Sequence, residues 1–359
     1  MRIAYLINSM EGGGAQTPLP AILRAVEAAG AEARIFALLR KDGKAIERLR
    51  DAGIEPQVFE GDAKDHFGAY HWARKAIAAY RPDAVWTSLV RATLVGQVIG
   101  RRLGVPVVSW QHSAFLKPWN ARLLRWRQGA SAFWIADSTP VAEMLRARVR
   151  VDAERIVTWP IFAADPAAPQ ARPGAGDDPL RIGTLGRLHV SKGYDLMIEA
   201  TRRLEAMAPS PPPFEIHIGG IGPDEDALRR QADGVAAIHF AGFVSDTAAF
   251  LALLDIYAQP SRREGFCVAA HEAMQAGLPV VVSDTGEMPN SVVDGETGRV
   301  VPAGNADALA DALNDLLRNR THLAAMGDAG RARVLDSYPQ ARFEAVASEI
   351  VERLRGLVR

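Results

Sequence analysis

The chain has 359 residues, enough for about two domains of ordinary size. Apolar residues make up 48% and charged residues 23%, a globular balance that excludes a disordered, collagenous or coiled-coil chain. The formal net charge is +0, which excludes a polyanion scavenger and leaves no nucleic-acid partner expected, yet residues 1 to 164 hold 23 Lys and Arg against 15 Asp and Glu, and the remainder holds 19 against 27.

In chain order, apolar runs of strand length alternate with helical patterns, the signature of parallel sheets covered by helices. Strands are predicted at 2 to 7 (RIAYLI), 33 to 39 (ARIFALL), 83 to 88 (DAVWTS), 105 to 110 (VPVVSW), 132 to 137 (AFWIAD) and 155 to 159 (RIVTW). Helical spacing falls between them, as at 18 to 30 and 69 to 80. At 164 to 179 the run ADPAAPQARPGAGDDP has no periodicity and the composition of a linker. Alternation restarts with strands at 180 to 186, 213 to 220, 237 to 242, 255 to 261 and 278 to 284, and the chain closes on an amphipathic helical pattern from about residue 339 to 359. Two α/β domains are expected, with ligand sites at the carboxyl ends of the strands and in a cleft between the domains. The lone cysteine, Cys267, excludes an internal disulfide and a cysteine zinc site, which fits the cytoplasm. The N-terminal apolar run breaks at once into EGGGAQ, too brief for a signal peptide, and no run reaches the roughly 20 apolar residues of a spanning helix, so a soluble or peripheral protein is expected.

Three motifs carry chemistry. The turn Glu11-Gly12-Gly13-Gly14-Ala15-Gln16 follows the first strand and precedes a helix, where glycines permit positive φ and helix N–H groups receive an anion. It lacks both the GxGxxG spacing and a P-loop lysine, and it reads equally as a structural turn. In the second half, Gly183, Gly186-Arg187-Leu188 and Ser191-Lys192-Gly193 place two cations at a strand end, suited to a diphosphate or else simply solvated. The third motif runs from Ser261 to Gly277. Its acids Glu264 and Glu272, eight apart around a helix start, can accept hydrogen bonds from vicinal hydroxyls, as in sugars; the plain alternative is a capping Glu and a surface Glu.

These residues carry a resemblance. The ordered segments GTLGRLHVSKGYDLMIEA, IHIGGIGPDEDALRR, FAGFVSD, DIYAQPSRREGFCVAAHEAMQAGLPVVVSD and VDGETGRVVPAGNADALADAL resemble the donor-binding half of the retaining glycosyltransferases of family 4, which have the GT-B fold. The first half resembles the family through GGGAQ, Gln111-His112-Ser113 and ADSTPVAEMLR. The resemblance implies two Rossmann-like domains with parallel sheets facing across a cleft: 1–168 binding the acceptor, 169–340 binding the nucleotide sugar, and a helix, 341–359, packing back toward the first domain. It implies that Glu264 contacts donor-sugar hydroxyls, that Gly265, Phe266, Cys267 and Val268 offer backbone N–H groups, and that Glu272 binds ribose hydroxyls. The resemblance further implies that Arg187 and Lys192 neutralise the diphosphate, that Gly13, Gly14, Gly186 and Gly220 approach the donor, and that His112 stands at the sugar and acceptor site. His112 reads otherwise as a structural histidine at a strand end.

The chain departs from the family at Thr158-Trp159-Pro160-Ile161-Phe162 and at Thr285-Gly286-Glu287-Met288-Pro289-Asn290. The implied reaction is retaining transfer of a hexose or N-acetylhexosamine from a nucleotide sugar, with UDP favoured over GDP, to a glycan or a polyprenyl or other lipid-linked acceptor in cell-surface polysaccharide synthesis. No metal is expected: Asp224-Glu225-Asp226 opens a helix, where acids complement its dipole. Retention without a carboxylate nucleophile implies front-face substitution. Alternatives are a nucleotide-sugar epimerase or hydrolase and a non-catalytic sugar-nucleotide-binding protein. From Ala84 to Ala136 there is no acid, and the basic residues there include Arg122, Arg125 and Arg127 beside Trp119 and Trp126. This reads as an anionic membrane surface site, which would place the protein peripherally at the inner face of the cytoplasmic membrane, or as a solvated face with core tryptophans.

Overall fold

The structure is a computed structural model and describes residues 1–174 and 178–358. Residues 175–177, inside the predicted linker, and residue 359, at the end of the last helical pattern, lie outside the described residues. The chain divides into two compact units, one of residues Met1–Phe162 joined by the chain from Gln340 onward, the other of Ala163–Pro339.

The first unit alternates strand and helix from the start: β1 (Arg2–Ile7), α1 (Leu19–Ala28), β2 (Glu32–Ala37), α2 (Lys44–Asp51), β3 (Gln57–Val58), α3 (His66–Tyr80), β4 (Ala84–Ser88), α4 (Val90–Leu103), β5 (Val107–Gln111), α5 (Pro118–Arg127), β6 (Phe133–Ala136), α6 (Thr139–Met144) and β7 (Ile156–Thr158). All pairings are parallel, in the order β3-β2-β1-β4-β5-β6-β7. Strands β4, β5 and β6 are wholly buried, which is why they read in the sequence as continuous apolar runs. The strand pair β2 and β3 closes on the edge, and β3, only two residues long, leaves no run to detect.

In the second unit follow β8 (Leu180–Leu185), α7 (Tyr194–Glu205), β9 (Phe214–Gly219), α8 (Glu225–Gln231), β10 (Ile238–Gly242), α9 (Thr247–Ala252), β11 (Ile256–Gln259), α10 (Val268–Gln275), β12 (Val280–Ser283), α11 (Met288–Ser291), β13 (Gly298–Val301), α12 (Ala306–Arg318) and α13 (Leu323–Ser337). Its sheet is also all parallel, in the order β10-β9-β8-β11-β12-β13. The core there joins β8, β9 and β11 to α7 and α12 through Ile182, Ile216, Ile256, Ile198 and Leu313. In both sheets the order of strand addition reverses once, between β1 and β4 and between β8 and β11, and ligands of open parallel sheets bind at such a switch point.

The break between the units falls earlier than the expected 168/169. Residues 163–168 go with the second unit because its surface claims their backbone: Ala164 bridges Pro339, Asp165 N–H donates to Gln275 at 2.7 Å, and Arg331 donates to Pro166 O. The last helix, α14 (Gln340–Arg355), belongs to the first unit. Its Arg353 donates to Glu154 O at 2.8 Å, Arg355 donates to the carbonyls of Ala29 and Gly30, and Phe343 packs on Trp159 with ring centroids 4.9 Å apart.

Candidate active site

The second switch point is built from the chain after β8 and after β11. Gly186 N–H donates to Gly219 O and Leu188 N–H to Ile221 O, pinning the loop after β8 to the loop after β9. At Gly220, φ is +137 and a Cβ would meet Gly186 O, so only glycine lets these two backbones touch. Gly193 is constrained in the same way: φ is +71, and a Cβ would overlap Pro260 O at the end of β11. Arg262 then staples the loops. Its guanidinium forks onto Asp195 at 2.6 and 2.7 Å, and the backbone N–H of Arg262 donates to Ser191 O at 2.8 Å. Burial pushes the Asp195 carboxyl up, but the Arg262 fork outweighs it and holds Asp195 below its ordinary range.

The stapling delivers Lys192 Nζ to 2.6 Å from Glu264 Oε1. Burial opposes the Lys192 charge, yet the Glu264 carboxylate wins and holds the ammonium above its ordinary pKa. A buried chain behind Glu264 fixes the carboxylate: Leu185 N–H donates to Tyr257 OH, Tyr257 OH to Gln259 Oε1, Gln259 Nε2 to Ser261 Oγ, and Ser261 Oγ to Glu264 Oε1 at 2.6 Å. Tyr257, Gln259 and Ser261 are all buried: Tyr257 and Gln259 lie in a predicted strand whose residues were given no role, and Ser261 heads the third motif.

Glu264 sits in the loop four residues ahead of α10, not at the start of the helix itself, and Glu272 lies one turn into α10. Between them Cys267, at φ 67 and ψ 68, turns the backbone so that α10 starts at Val268, with no side-chain cap and no acid in its first turn. Gly265, Phe266, Cys267 and Val268 therefore form the entry to a helix N-terminus suited to negative charge. Burial, with Glu264 adding to it, pushes the Cys267 thiol far up, so it is a neutral packing group. The turn is held by a further residue, His271, which is fully buried. Its Nδ1 lies 2.9 Å from Cys267 O, which can only accept, so the proton is on Nδ1, and Nε2 accepts from Ser291 Oγ at 2.8 Å. Phe266 stacks on this ring at 4.0 Å, and burial pushes the His271 pKa down to about 4. The unusual 285-to-290 segment also packs here, with Glu287 N–H donating to Gly265 O at 2.9 Å.

Arg187 is exposed just beyond Gly186, and Lys192 pairs with Glu264. Asp224-Glu225-Asp226 does open α8: Glu225 pairs with Arg229 at 2.9 Å, while Asp224 makes no side-chain cap bond. Among the described residues no group of three or more His, Cys, Asp and Glu is placed to hold a metal ion.

The remaining predicted residues belong to the first unit. The glycine turn departs from expectation. Gly12, Gly13 and Gly14 do not adopt positive φ, and a Cβ on Gly14 would meet nothing within 4 Å. Gly13 O accepts from the N–H groups of Gln16 and Thr17, which closes a turn of its own before α1, and the prolines at 18 and 20 remove two donors from that helix start. His112, by contrast, is held firmly: Nδ1 lies 2.9 Å from both oxygens of Asp137, and Nε2 lies 2.6 Å from Ser88 Oγ. Trp110 lies against its ring at 5.1 Å, and Trp159 from the departing segment stacks on Trp110 at 4.8 Å and 13°. Each of these residues ends a predicted strand or follows one, the signal by which they are found.

On the basic stretch, α5 buries Ala121 and Leu124 and leaves Trp119 and Trp126 64% and 78% exposed. Arg122 and Arg125 are exposed with them, but Arg127 is not part of that face, because its Nε donates to the buried Gln97 Oε1 at 3.1 Å. No described helix is long and apolar enough to cross a membrane.

Two doubly wound parallel-sheet units in one chain, the second with a lysine, a braced carboxylate and an uncapped helix N-terminus at its switch point, define the GT-B architecture. A family model described as Glycosyltransferase Family 4 matches residues 12–162, and one described as Glycosyl transferases group 1 matches residues 179–319. The chain belongs to the family 4 glycosyltransferases. A GDP-mannose-dependent alpha-(1-6)-phosphatidylinositol monomannoside mannosyltransferase of Mycolicibacterium smegmatis is 34% identical over 210 residues, 54% of this chain and 53% of that protein. The lipopolysaccharide core biosynthesis mannosyltransferase LpsB of Rhizobium meliloti is 30% identical over 197 residues, 52% of this chain and 55% of its own length. These matches span about half the length of the curated relatives. Among solved structures, Anabaena Alr3699/HepE in complex with UDP-glucose matches 98% of this chain and 100% of its own with a TM-score of 0.85 at 20% identity, a likeness of fold.

Proposed function

We propose that the chain is a retaining, metal-independent hexosyltransferase that moves a hexose from a nucleoside-diphosphate sugar to a hydroxyl of a glycan or lipid-linked acceptor. The observation that carries this is the Lys192–Glu264 pair, fixed from behind by Ser261, Gln259 and Tyr257. When the anomeric bond breaks, negative charge gathers on the leaving diphosphate, and a cation with oriented N–H dipoles stabilises it. Lys192 and the α10 start supply these, with exposed Arg187 as a second cation, and Glu264 accepts from sugar hydroxyls. The leaving phosphate oxygen takes the proton of the acceptor hydroxyl on the same face, so the configuration is retained. For the base, the relatives at 34% identity are GDP-mannose-dependent by name whereas the fold neighbour binds UDP-glucose, and the greater sequence likeness favours GDP-mannose over the UDP-sugar expected from the sequence.

The test is transfer from radiolabelled GDP-mannose and UDP-glucose, in chelator, to phosphatidylinositol and polyprenyl-phosphate glycan acceptors, with the product anomer read by NMR. Product of retained configuration supports the reading. An inverted product, or release of free sugar or an epimer alone with every acceptor, overturns it.

A lipid acceptor accounts for α5 as well. Trp119, Arg122 and Trp126 fall on one helical face, two exposed indoles flanking a cation, which suits insertion at an anionic lipid surface. Binding to phosphatidylglycerol vesicles should fall in the Trp119→Ser, Trp126→Ser double variant; equal partitioning by the two proteins removes the membrane from the proposal.

A further inference from the structure

The switch point of the first sheet lies between β1 and β4, and the chain that leaves these two strands carries hydrogen-bond donors without acceptors. Leu89 turns β4 into α4 at φ 75 and ψ 161, a conformation costly for any residue but glycine, and it supplies no side-chain cap. The N–H groups of Val90 and Arg91, first in the helix, have no acceptor within it. Asn8, next after β1, ties the two strand ends together: its Oδ1 accepts from Ala92 N–H at 2.7 Å, which commits that oxygen and leaves Nδ2 to donate. Arg91 adds a guanidinium. The side chain is partly buried, its Nη2 is wholly so, and that nitrogen has no hydrogen-bond partner among the described residues. Burial holds Arg91 below its ordinary pKa against the pull of Asp65, the acid that acts on it. Asp65 is committed elsewhere, capping α3 through Gly68 N–H at 2.7 Å, and the sequence from Ala84 to Ala136 has no acid. A guanidinium nitrogen that gives up water for no partner is costly, and an arriving anion removes the cost.

We propose that Arg91 binds a phosphate group carried by the acceptor, with Asn8 Nδ2 and the first N–H groups of α4 as further donors. The proposal rests on the glycosyltransferase reading for the acceptor and on the switch-point geometry for the anion. A guanidinium, an amide nitrogen and two backbone N–H groups only donate; the several oxygens of a phosphate can occupy them, whereas a sugar hydroxyl brings one. Arg91 thus selects acceptors by charge, favouring those with a phosphate linkage or headgroup over neutral glycans. The role differs from that of Arg122 and Arg125, which are exposed on α5.

The experiment compares the full chain with Arg91→Gln and Arg91→Lys on short-chain phosphatidylinositol and short-chain polyprenyl-phosphate glycan, each against its phosphate-free counterpart. Arg91→Gln should raise KM for the phosphate acceptors about tenfold or more, the size of one charge-assisted hydrogen bond, with kcat and the phosphate-free acceptors within about threefold. Arg91→Lys, which keeps the charge, should recover most of the loss. Independently of transfer, the Arg91 side-chain N–H signal of protein labelled with 15N-arginine, assigned through Arg91→Gln, should shift on titration with glycerol phosphate and stay fixed with glycerol. An unchanged KM in folded Arg91→Gln protein, an equal loss on both kinds of acceptor, or an Arg91 signal that glycerol phosphate does not move overturns the proposal. So does weaker partitioning of Arg91→Gln onto phosphatidylglycerol vesicles with KM for the soluble phosphate acceptors unchanged, which would assign the arginine to the lipid surface instead. If neither variant folds, the titration decides, its signal assigned in the unmodified protein. If the unmodified protein transfers no sugar at all, the glycosyltransferase reading fails and the acceptor half of the proposal with it, while the titration still decides whether Arg91 is an anion site.

Discussion

The two switch points share a strand plan and finish it with opposite materials. In the second unit the ends of β8 and β11 carry Lys192, Glu264, Asp195 and Arg262, a charged site near the surface braced by one buried polar chain. In the first unit the ends of β4, β5 and β6 carry a single histidine, held by a buried acid and serine against a wall of tryptophans. The charged site is suited to an anionic leaving group, where a cation lowers the barrier directly. The aromatic site is suited to orientation, where packing and hydrogen bonds fix one group and the charge stays with its partner. The same strand plan thus ends in charged side chains in one unit and in a histidine against packed tryptophans in the other.

That contrast is broken or sharpened by substitution, beginning where the effect is greatest. Trp159→Ala removes a fully buried indole from the first unit and should cost about 3–5 kcal/mol of stability by denaturant titration; a loss below about 1 kcal/mol would mean the wall is not packed as a core. Glu264→Gln keeps the shape of the second site and removes its charge, and should lower kcat by about a hundredfold or more while the fold persists; activity within a few-fold of the unmodified protein would move the chemistry elsewhere.

His271 sets a smaller, pH-dependent effect. Its folded pKa of about 4 lies below the ordinary value of 6.5, so the unfolded chain binds the proton more tightly. The stability it contributes is present above about pH 6.5 and falls away as the pH drops toward 4, by about 3 kcal/mol in all. Melting curves across that range should show the slope, and His271→Gln should flatten it. Gly193→Ala comes last, at about 2 kcal/mol, since it combines a left-handed φ with an overlap on Pro260 O. If the alanine protein melts like the parent, the loop that carries Lys192 is not fixed by that contact.

Much of this was legible in the sequence because the relevant physics is local. Interior strands of a parallel sheet are covered on both faces, so β1, β4, β5, β8 and β12 stand out as apolar runs. Of the edge strands, β7 and β10 fall within the predicted runs at 155 to 159 and 237 to 242, whereas β3, only two residues long, and β13, half covered, were not predicted. The second site was legible for a related reason: Gly186 to Gly193 and Ser261 to Glu272 are two short segments, each carrying its chemistry in consecutive residues. Ser88, His112 and Asp137 are more than twenty positions apart, and nothing in their spacing shows that they meet.

The sequence by itself determined the two parallel-sheet domains, the loops that bear the charged residues and the family those loops resemble, because strand periodicity and glycine turns are written residue by residue. Only the tertiary structure decided that Lys192 pairs with Glu264, that Arg127 turns inward to Gln97, that the Gly12 to Gly14 turn needs no positive φ, and that Asp137 and Ser88 hold His112. Each of these depends on which strand lies beside which, and strand order is set by the packing of the whole sheet rather than by any segment of the chain.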